Sequence, residues 1–181
     1  VPSLRGHFLL ASPTLTDPNF VQTVVLLVQH DKDGAVGLVL NRPLKVSVAE
    51  AMGSELDFDV AVESTLFKGG PCVGPLMALT GAETPFSDEV VPGVHFAAKD
   101  DALRMLLSTD VGPTRFTIGY AGWSADQLER ELAEGDWTVV PAAPQDVFAE
   151  PVDMLWHKLM SRANLMKFIS PDAIPDDPHS N

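Results

Sequence analysis

The sequence predicts an α+β fold in one compact domain, with strands that are mostly antiparallel. Three observations carry this reading. Strand-like segments outnumber helix-like ones and do not alternate with them, which disfavours a doubly wound parallel sheet. Asp33-Gly34 lies between two Val- and Leu-rich runs, a hairpin signal, because Gly takes the positive φ that a tight turn needs. The 13 Gly and 15 Pro of the 181 residues are spread as punctuation between short segments rather than gathered into a linker.

Strand expectations follow from short apolar runs bounded by turn residues. They are Gly6–Ala11, Val21–His30, Ala35–Leu40, Ser64–Lys68, Leu76–Thr80, Val90–Ala97, Thr114–Ala121 and Trp137–Val140. Helices carry start signals. Ser47-Val48-Ala49-Glu50 reads as a capping box, with Gly53 as the stop. Asp100 and Asp101 favour a helix N-terminus ahead of Leu103, Leu106 and Leu107. Ser124-Ala125-Asp126-Gln127 reads as a second capping box, with Ser124 as N-cap and Gly135 as the stop. Pro151 is expected to open a last helix with Leu155, Trp156, Leu159, Met160 and Ala163 on its apolar stripe. The domain spans residues 1–169. Residues 170–181, where Pro171, Pro175 and Pro178 alternate with Asp172, Asp176 and Asp177, are expected to be a mobile acidic tail.

Composition narrows the function classes. Hydrophobic residues at 45% and charged residues at 20% describe a globular chain long enough for a sizeable core. The single cysteine, Cys72, excludes an intramolecular disulfide and points to a reducing, cytoplasmic setting. No run approaches the ~20 apolar residues of a membrane span, and the first residues lack the pattern of a signal peptide. A net charge of −13 argues against direct nucleic-acid binding, since phosphate backbones need clustered Lys and Arg. Lys158, Arg162 and Lys167 give the last helix only a small basic edge, expected to be a solvated face.

Candidate chemistry is sparse. Asp31-Lys32-Asp33-Gly34 superficially resembles the start of a calcium loop, but Val36 and Arg42 stand where the Gly and Glu would be required. Gly122-Trp123-Ser124-Ala125-Asp126 resembles a nucleophile elbow with its last Gly replaced by Asp126, so a capping role for Ser124 is expected. Cys72 is expected to be buried and inert. None of the five histidines has metal-ligand spacing with a carboxylate, so no metal or cofactor is expected. Gly69-Gly70-Pro71 lacks the lysine of a P-loop and reads as a tight turn. Asn41-Arg42-Pro43 closes a long strand: Pro43 is expected to end the ladder, and Arg42 either projects from the strand end as a binding residue or pairs with a nearby carboxylate. Trp123 is either a core plug or an exposed anchor, with the core the expected place.

Taken in order, these segments resemble the YqgE/AlgH family. The blocks are Leu9–Pro13, Asp17-Pro18-Asn19-Phe20, His30–Gly34, Gly37–Pro43, Gly69-Gly70-Pro71, Gly119–Trp123 and Gln127-Leu128-Glu129 ahead of Trp137, together covering about Gly6 to Lys158. The resemblance implies coiled, bifurcated antiparallel sheets with about four flanking helices. It carries no agreed enzymatic activity; members are labelled transcriptional regulators. Two departures stand out: Cys72–Thr80 replaces the family's Val, polar stretch and Leu-His pair, and Asp126 stands where Gly is usual. The resulting expectation is a non-enzymatic regulatory or interaction protein acting on transcription indirectly. It would bind an unidentified protein or small molecule near Asn41, Arg42, Pro43, Gly69, Gly70, Pro71 and Trp123. The alternative is an enzyme, such as a hydrolase using Ser124 or Cys72, and direct DNA binding ranks below both.

Overall fold

The computed structural model describes residues 2–52 and 54–169. In chain order the elements are β1 (His7–Ala11), β2 (Val24–Asp31), β3 (Gly34–Val39), β4 (Pro43–Ser47), α1 (Val48–Met52), β5 (Thr65–Lys68), β6 (Cys72–Thr80), β7 (Asp88–Val91) and β8 (Val94–Ala97). They continue with α2 (Asp100–Ser108), β9 (Thr114–Ser124), α3 (Gln127–Glu134), β10 (Trp137–Pro141), α4 (Pro144–Val147) and α5 (Leu155–Ile169). The α+β expectation holds, with five helices among the described residues where about four were expected. None of these helices is long and apolar enough to cross a membrane.

Strand β9 organises the sheet. Its first part, Thr114–Tyr120, pairs antiparallel with β6, and its last part, Ala121–Ser124, pairs antiparallel with β3. Along Phe116–Ile118 it also pairs with β5, the one parallel ladder among the described strands. The path β10-β1-β2-β3-β9-β6-β8-β7 therefore forks at β9, where β5 and β4 branch off. This fork is the bifurcation that the resemblance implied.

Burial explains why the strands read as they do. In β1, Phe8 and Leu10 enter one core with α5, while Leu9 and Ala11 enter a second core under α3. In β2, Val24, Leu26 and Val28 face the first core, and Val25 and Leu27 the second. Strands buried on both faces appear as continuous apolar runs rather than alternating ones, as in Val24–Val28. A third core lies under α1 and α2, where Val48, Leu66, Leu103, Leu106 and Phe116 pack together.

Several expectations need correction. Pro43 does not end the ladder; it opens β4 opposite Phe67. A proline is accommodated there because it is the first residue of a strand that pairs only with β5. The Val90–Ala97 run breaks into β7 and β8 around Pro92-Gly93. In the β2–β3 hairpin the apex is Lys32-Asp33, held by the Asp33 N–H donating to Asp31 Oδ1 at 2.8 Å, and Gly34 (φ +137°) already lies in the ladder opposite Asp31. Pro151 follows a cis peptide bond and precedes α5 rather than opening it. Buried Arg115 holds the approach as a loop, donating to the carbonyls of Val147 at 3.2 Å and Ala149 at 2.9 Å. Gly53 and residues 170–181 lie outside the described residues.

The capping signals divide. At α1 the box is complete: the Ser47 N–H donates to Glu50 Oε2 at 2.8 Å, and the Glu50 N–H to Ser47 Oγ at 3.1 Å. At α3 only half forms. The Ser124 N–H reaches Gln127 Oε1 at 3.1 Å, but Ser124 is the last residue of β9 and Asp126, at φ +59°, is the N-cap. The left-handed turn at Asp126 falls where the family pattern has Gly. Gly135 (φ +83°) ends α3 as expected.

Candidate functional site

Two strand ends meet on one side of β9. The Lys68 N–H donates to the Arg42 carbonyl at 2.9 Å, and the Val39 N–H to the Gly69 carbonyl at 2.8 Å, so Asn41-Arg42-Pro43 and Gly69-Gly70-Pro71 are drawn together. Gly70 lies so close to β9 that a Cβ would sit 2.1 Å from the Tyr120 carbonyl carbon, and its φ of +156° is strained for any side chain. The close approach leaves room only for glycine at this corner.

Arg42, Gly70 and Pro71, with Pro18, Asn19, Val39 and Lys68, line a cleft of about 70 Å³. Half-buried Arg42 donates through Nη1 to the Asn41 carbonyl at 3.3 Å and through Nη2 to the Val21 carbonyl. The expected carboxylate partner is absent among the described residues. A guanidinium has five N–H donors, so three remain after these two bonds. Burial draws the Arg42 pKa below its ordinary value, the sign of a cation that has lost water without gaining a counter-ion. Lys68 is exposed at the same cleft and also makes no ion pair among the described residues.

Asn41 has a different role. Its Oδ1 accepts the Val24 N–H at 2.9 Å and its Nδ2 donates to the Gln22 carbonyl at 2.8 Å, holding the start of β2. Asn41, Pro43 and Gly69 thus shape the corner without lining the cleft. Lys68, Pro18, Asn19 and Val39 line it and are not among the site residues that the sequence suggests. A lysine in a short apolar run carries no signal beyond solvation; only the Asp17–Phe20 block hinted at the loop.

Trp123 lies apart from this cleft, 6% exposed in the second core. It lines a separate pocket of about 210 Å³ with Leu15, Asp17, Phe20, Gln127, Glu131, Asp136 and Trp137, among others. Glu131 organises the pocket. Its Oε2 accepts both the Trp123 and Trp137 indole N–H groups at 2.8 Å, and its Oε1 accepts from Gln127 Nε2 at 2.9 Å. The core expectation for Trp123 therefore holds, but its indole still borders a cavity.

The nucleophile candidates gain no catalytic neighbours. Ser124 Oγ lies 3.3 Å from Gln127 Oε1, and Cys72 is half-buried rather than buried. Neither makes a hydrogen bond to a histidine among the described residues. His30 is committed elsewhere: its Nδ1 accepts the Leu4 N–H at 2.9 Å, so Nε2 carries the proton facing Glu129 Oε1 at 2.9 Å. The Glu129 carboxyl is held below its ordinary pKa, first by its own backbone N–H and then by His30. No group of three or more potential metal ligands occurs among the described residues.

The basic edge of α5 is also spoken for. Arg162 makes two hydrogen bonds to fully buried Asp146, at 2.7 and 3.2 Å, and Lys158 Nζ lies 3.2 Å from Asp146 Oδ1. Two of the three cations expected on a solvated face are therefore pinning α5 to α4.

A family model described as AlgH-like matches residues 8–166. A UPF0301 protein of Streptomyces avermitilis is 37% identical over 190 residues, covering 100% of this chain and 97% of its own length. A UPF0301 protein of Chlorobaculum tepidum is 36% identical over 159 residues, 84% of this chain and 83% of its own. Among solved structures, the AlgH protein from Pseudomonas aeruginosa matches with a TM-score of 0.73 and 30% identity, over 99% of this chain and 98% of that one. A Corynebacterium diphtheriae protein shares the fold, with a TM-score of 0.73 at 22% identity over 90% and 88% of the two chains.

Proposed function

The chain belongs to the AlgH-like family, and from that premise we propose that it is a regulatory interaction protein whose Arg42–Lys68 cleft takes up an anionic group of a protein partner. One observation carries this reading: among the described residues, half-buried Arg42 keeps three N–H donors without a partner beside Lys68, which makes no ion pair, on a corner where Gly70 closely approaches β9. A carboxylate or phosphate oxygen entering the cleft would complete the guanidinium's hydrogen bonds and offset its desolvation. The overall charge of −13 repels anions at long range, so selectivity would arise at short range, from geometry rather than steering. Action on transcription would then be indirect, through the partner.

The test uses inorganic phosphate and succinate as probes, followed by amide chemical shifts. Saturable shifts at Asn19, Lys68 and Gly70 are expected, with affinity reduced about tenfold or more in Arg42→Ala, the scale of a lost charge-assisted hydrogen bond. Lys68→Ala should weaken binding less, because its ammonium is more solvated. Absence of saturation by either anion, or equal binding by wild type and Arg42→Ala, would remove the site.

A further inference from the structure

We propose that the open edge of β10, with the groove between that strand and α5, binds an extended acidic peptide of a partner protein as an added strand. The groove shares no lining residue with the Arg42 cleft.

Pairing parity fixes which way the main chain of β10 points. The Ser12 N–H donates to the Asp136 carbonyl at 2.7 Å and the Ala142 N–H to the Gly6 carbonyl at 3.3 Å, at the two ends of the ladder with β1. Leu10 stands opposite Thr138 and Phe8 opposite Val140, so these two residues of β10 turn their main-chain groups to β1. The N–H and C=O of Trp137 and Val139 and the C=O of Pro141 therefore face outward, and none has a main-chain partner among the described residues. Pro141 falls at an outward position, where its missing N–H takes nothing from the β1 ladder.

Two other strand edges are guarded, as natural edges are, by charge and by proline. At the far end of the sheet path β7 carries Asp88 and Glu89. Strand β4, which pairs only with β5, carries Pro43 and Lys45. By contrast, Trp137–Pro141 has no charged residue, and its proline comes last.

Beside this open edge runs an apolar groove of about 470 Å³. Leu159, Ala163 and Met166 form its α5 wall, at the i, i+4, i+7 spacing of one helix face. Ala163 is small and Met166 is 68% exposed, so the wall has room and an adaptable side chain. A strand laid along β10 sends every second side chain toward α5. Main-chain bonds then supply affinity, and the groove selects apolar groups at alternate positions.

Charge sets the sign of the partner. Arg162 and Lys167 line the groove and no Asp or Glu does, in a chain of net charge −13. Arg162 is engaged by Asp146, whereas Lys167 makes no ion pair among the described residues. A carboxylate on the peptide meets that cation at the rim. A second copy of the chain fits less well. Antiparallel pairing of two β10 edges about an axis normal to the sheet puts both α5 helices on one face, and the Arg162 and Lys167 of both copies then repel.

Selection of a phage-displayed library of random linear dodecapeptides on the full chain tests the proposal, followed by calorimetry and amide hydrogen exchange with an enriched peptide. Enriched sequences should carry apolar residues at alternate positions and at least one Asp or Glu. At saturation the Val139 amide should gain about tenfold or more in protection, while Thr138 and Val140, already bonded to β1, should change little. Val139→Pro removes an outward N–H without removing a β1 bond, and should weaken binding about tenfold or more, the scale of a hydrogen bond left unmade. Lys167→Glu should weaken it several-fold, and less at high salt. Arg42→Ala should leave it unchanged, so failure of the cleft and failure of this edge can be told apart. If Val139→Pro does not fold, the alternation of protection along β10 decides. Absence of enrichment, uniform protection across Thr138–Val140, or equal binding by wild type and a folded Val139→Pro would overturn the proposal. Protection of Val139 without peptide would also overturn it, assigning the edge to a second copy if it rises with protein concentration and to the chain itself if it does not.

Discussion

At the residue scale, two glycines separate backbone strain from steric exclusion. Gly135 and Gly70 both have positive φ, but a Cβ at Gly135 meets nothing within 4 Å whereas one at Gly70 meets the backbone of Tyr120 and Ala121 at 2.1–2.3 Å. Gly135→Ala should therefore cost only the left-handed penalty, about 1 kcal/mol. Gly70→Ala should cost about 3 kcal/mol or more, because β9 must move. Denaturant midpoints at neutral pH give both values; similar losses for the two variants would mean that the Gly70 corner relaxes cheaply. The same contrast explains what could be read of the site. Arg42, Gly70 and Pro71 were legible because glycine and proline mark strand ends, where side chains project. Lys68 was not, since nothing local distinguishes it from a solvated lysine. Trp123 was grouped with them through its block in the family pattern, yet the course of β9 carries it to another pocket.

At the element scale, the docking of α5 depends on Asp146. Burial alone would raise its pKa, but hydrogen bonds from Arg162 and then Lys158 outweigh it and hold the carboxyl below its ordinary value. A depressed folded-state pKa gives stability that is present above the unfolded value, ~3.9, and is lost as pH falls through the folded one. Asp146→Asn should thus destabilise the protein at pH 7 by about 2 kcal/mol, the range for hydrogen bonds to charged groups. The larger loss typical of a broken fully buried pair is not expected, because Arg162 and Lys158 are both partly exposed and can be resolvated. Urea unfolding of both proteins at pH 7 and pH 3 should show the gap closing at the lower pH; a constant gap would mean that Asp146 acts through packing. Helices announced themselves through a capping box at α1, first-turn acids ahead of apolar residues at α2, and the apolar stripe of α5. They were misplaced where a tertiary contact overrode the local signal. Asp126 took the N-cap from Ser124, and Arg115 held the segment around Pro151 as a loop. Strand β4 was missed for a related reason: Pro43 reads as a stop unless it is known that only β5 lies beside it.

At the scale of the whole molecule, antiparallel character was legible and connectivity was not. The β2–β3 hairpin has a local turn signal, but the β7–β8 turn lies inside what reads as one strand, Val90–Ala97, and nothing in residues 114–124 announces that one strand pairs with β3, β5 and β6. Those pairings are non-local, as are β1 with β10 and the Trp156 indole N–H donating to the Ala11 carbonyl at 2.9 Å across 145 residues. Each depends on packing that only the finished fold supplies. The fork at β9 has a consequence for cooperativity. A strand with ladders on both sides and cores on both faces cannot open without separating its neighbours, whereas β7 pairs only with β8 at the end of the path. Native-state hydrogen exchange should therefore place the amides of Phe116, Thr117 and Ile118 at the global unfolding free energy, with the same denaturant dependence as complete unfolding. Amides at the edge in Asp88–Val91 should exchange through smaller openings that denaturant barely promotes. Protection in β9 that fell to the level of β7 would mean that the two parts of the sheet separate in the native state. With exchange at the global limit, the strand that holds the Gly70 corner on one side and Trp123 at its end couples both pockets to a single folding unit.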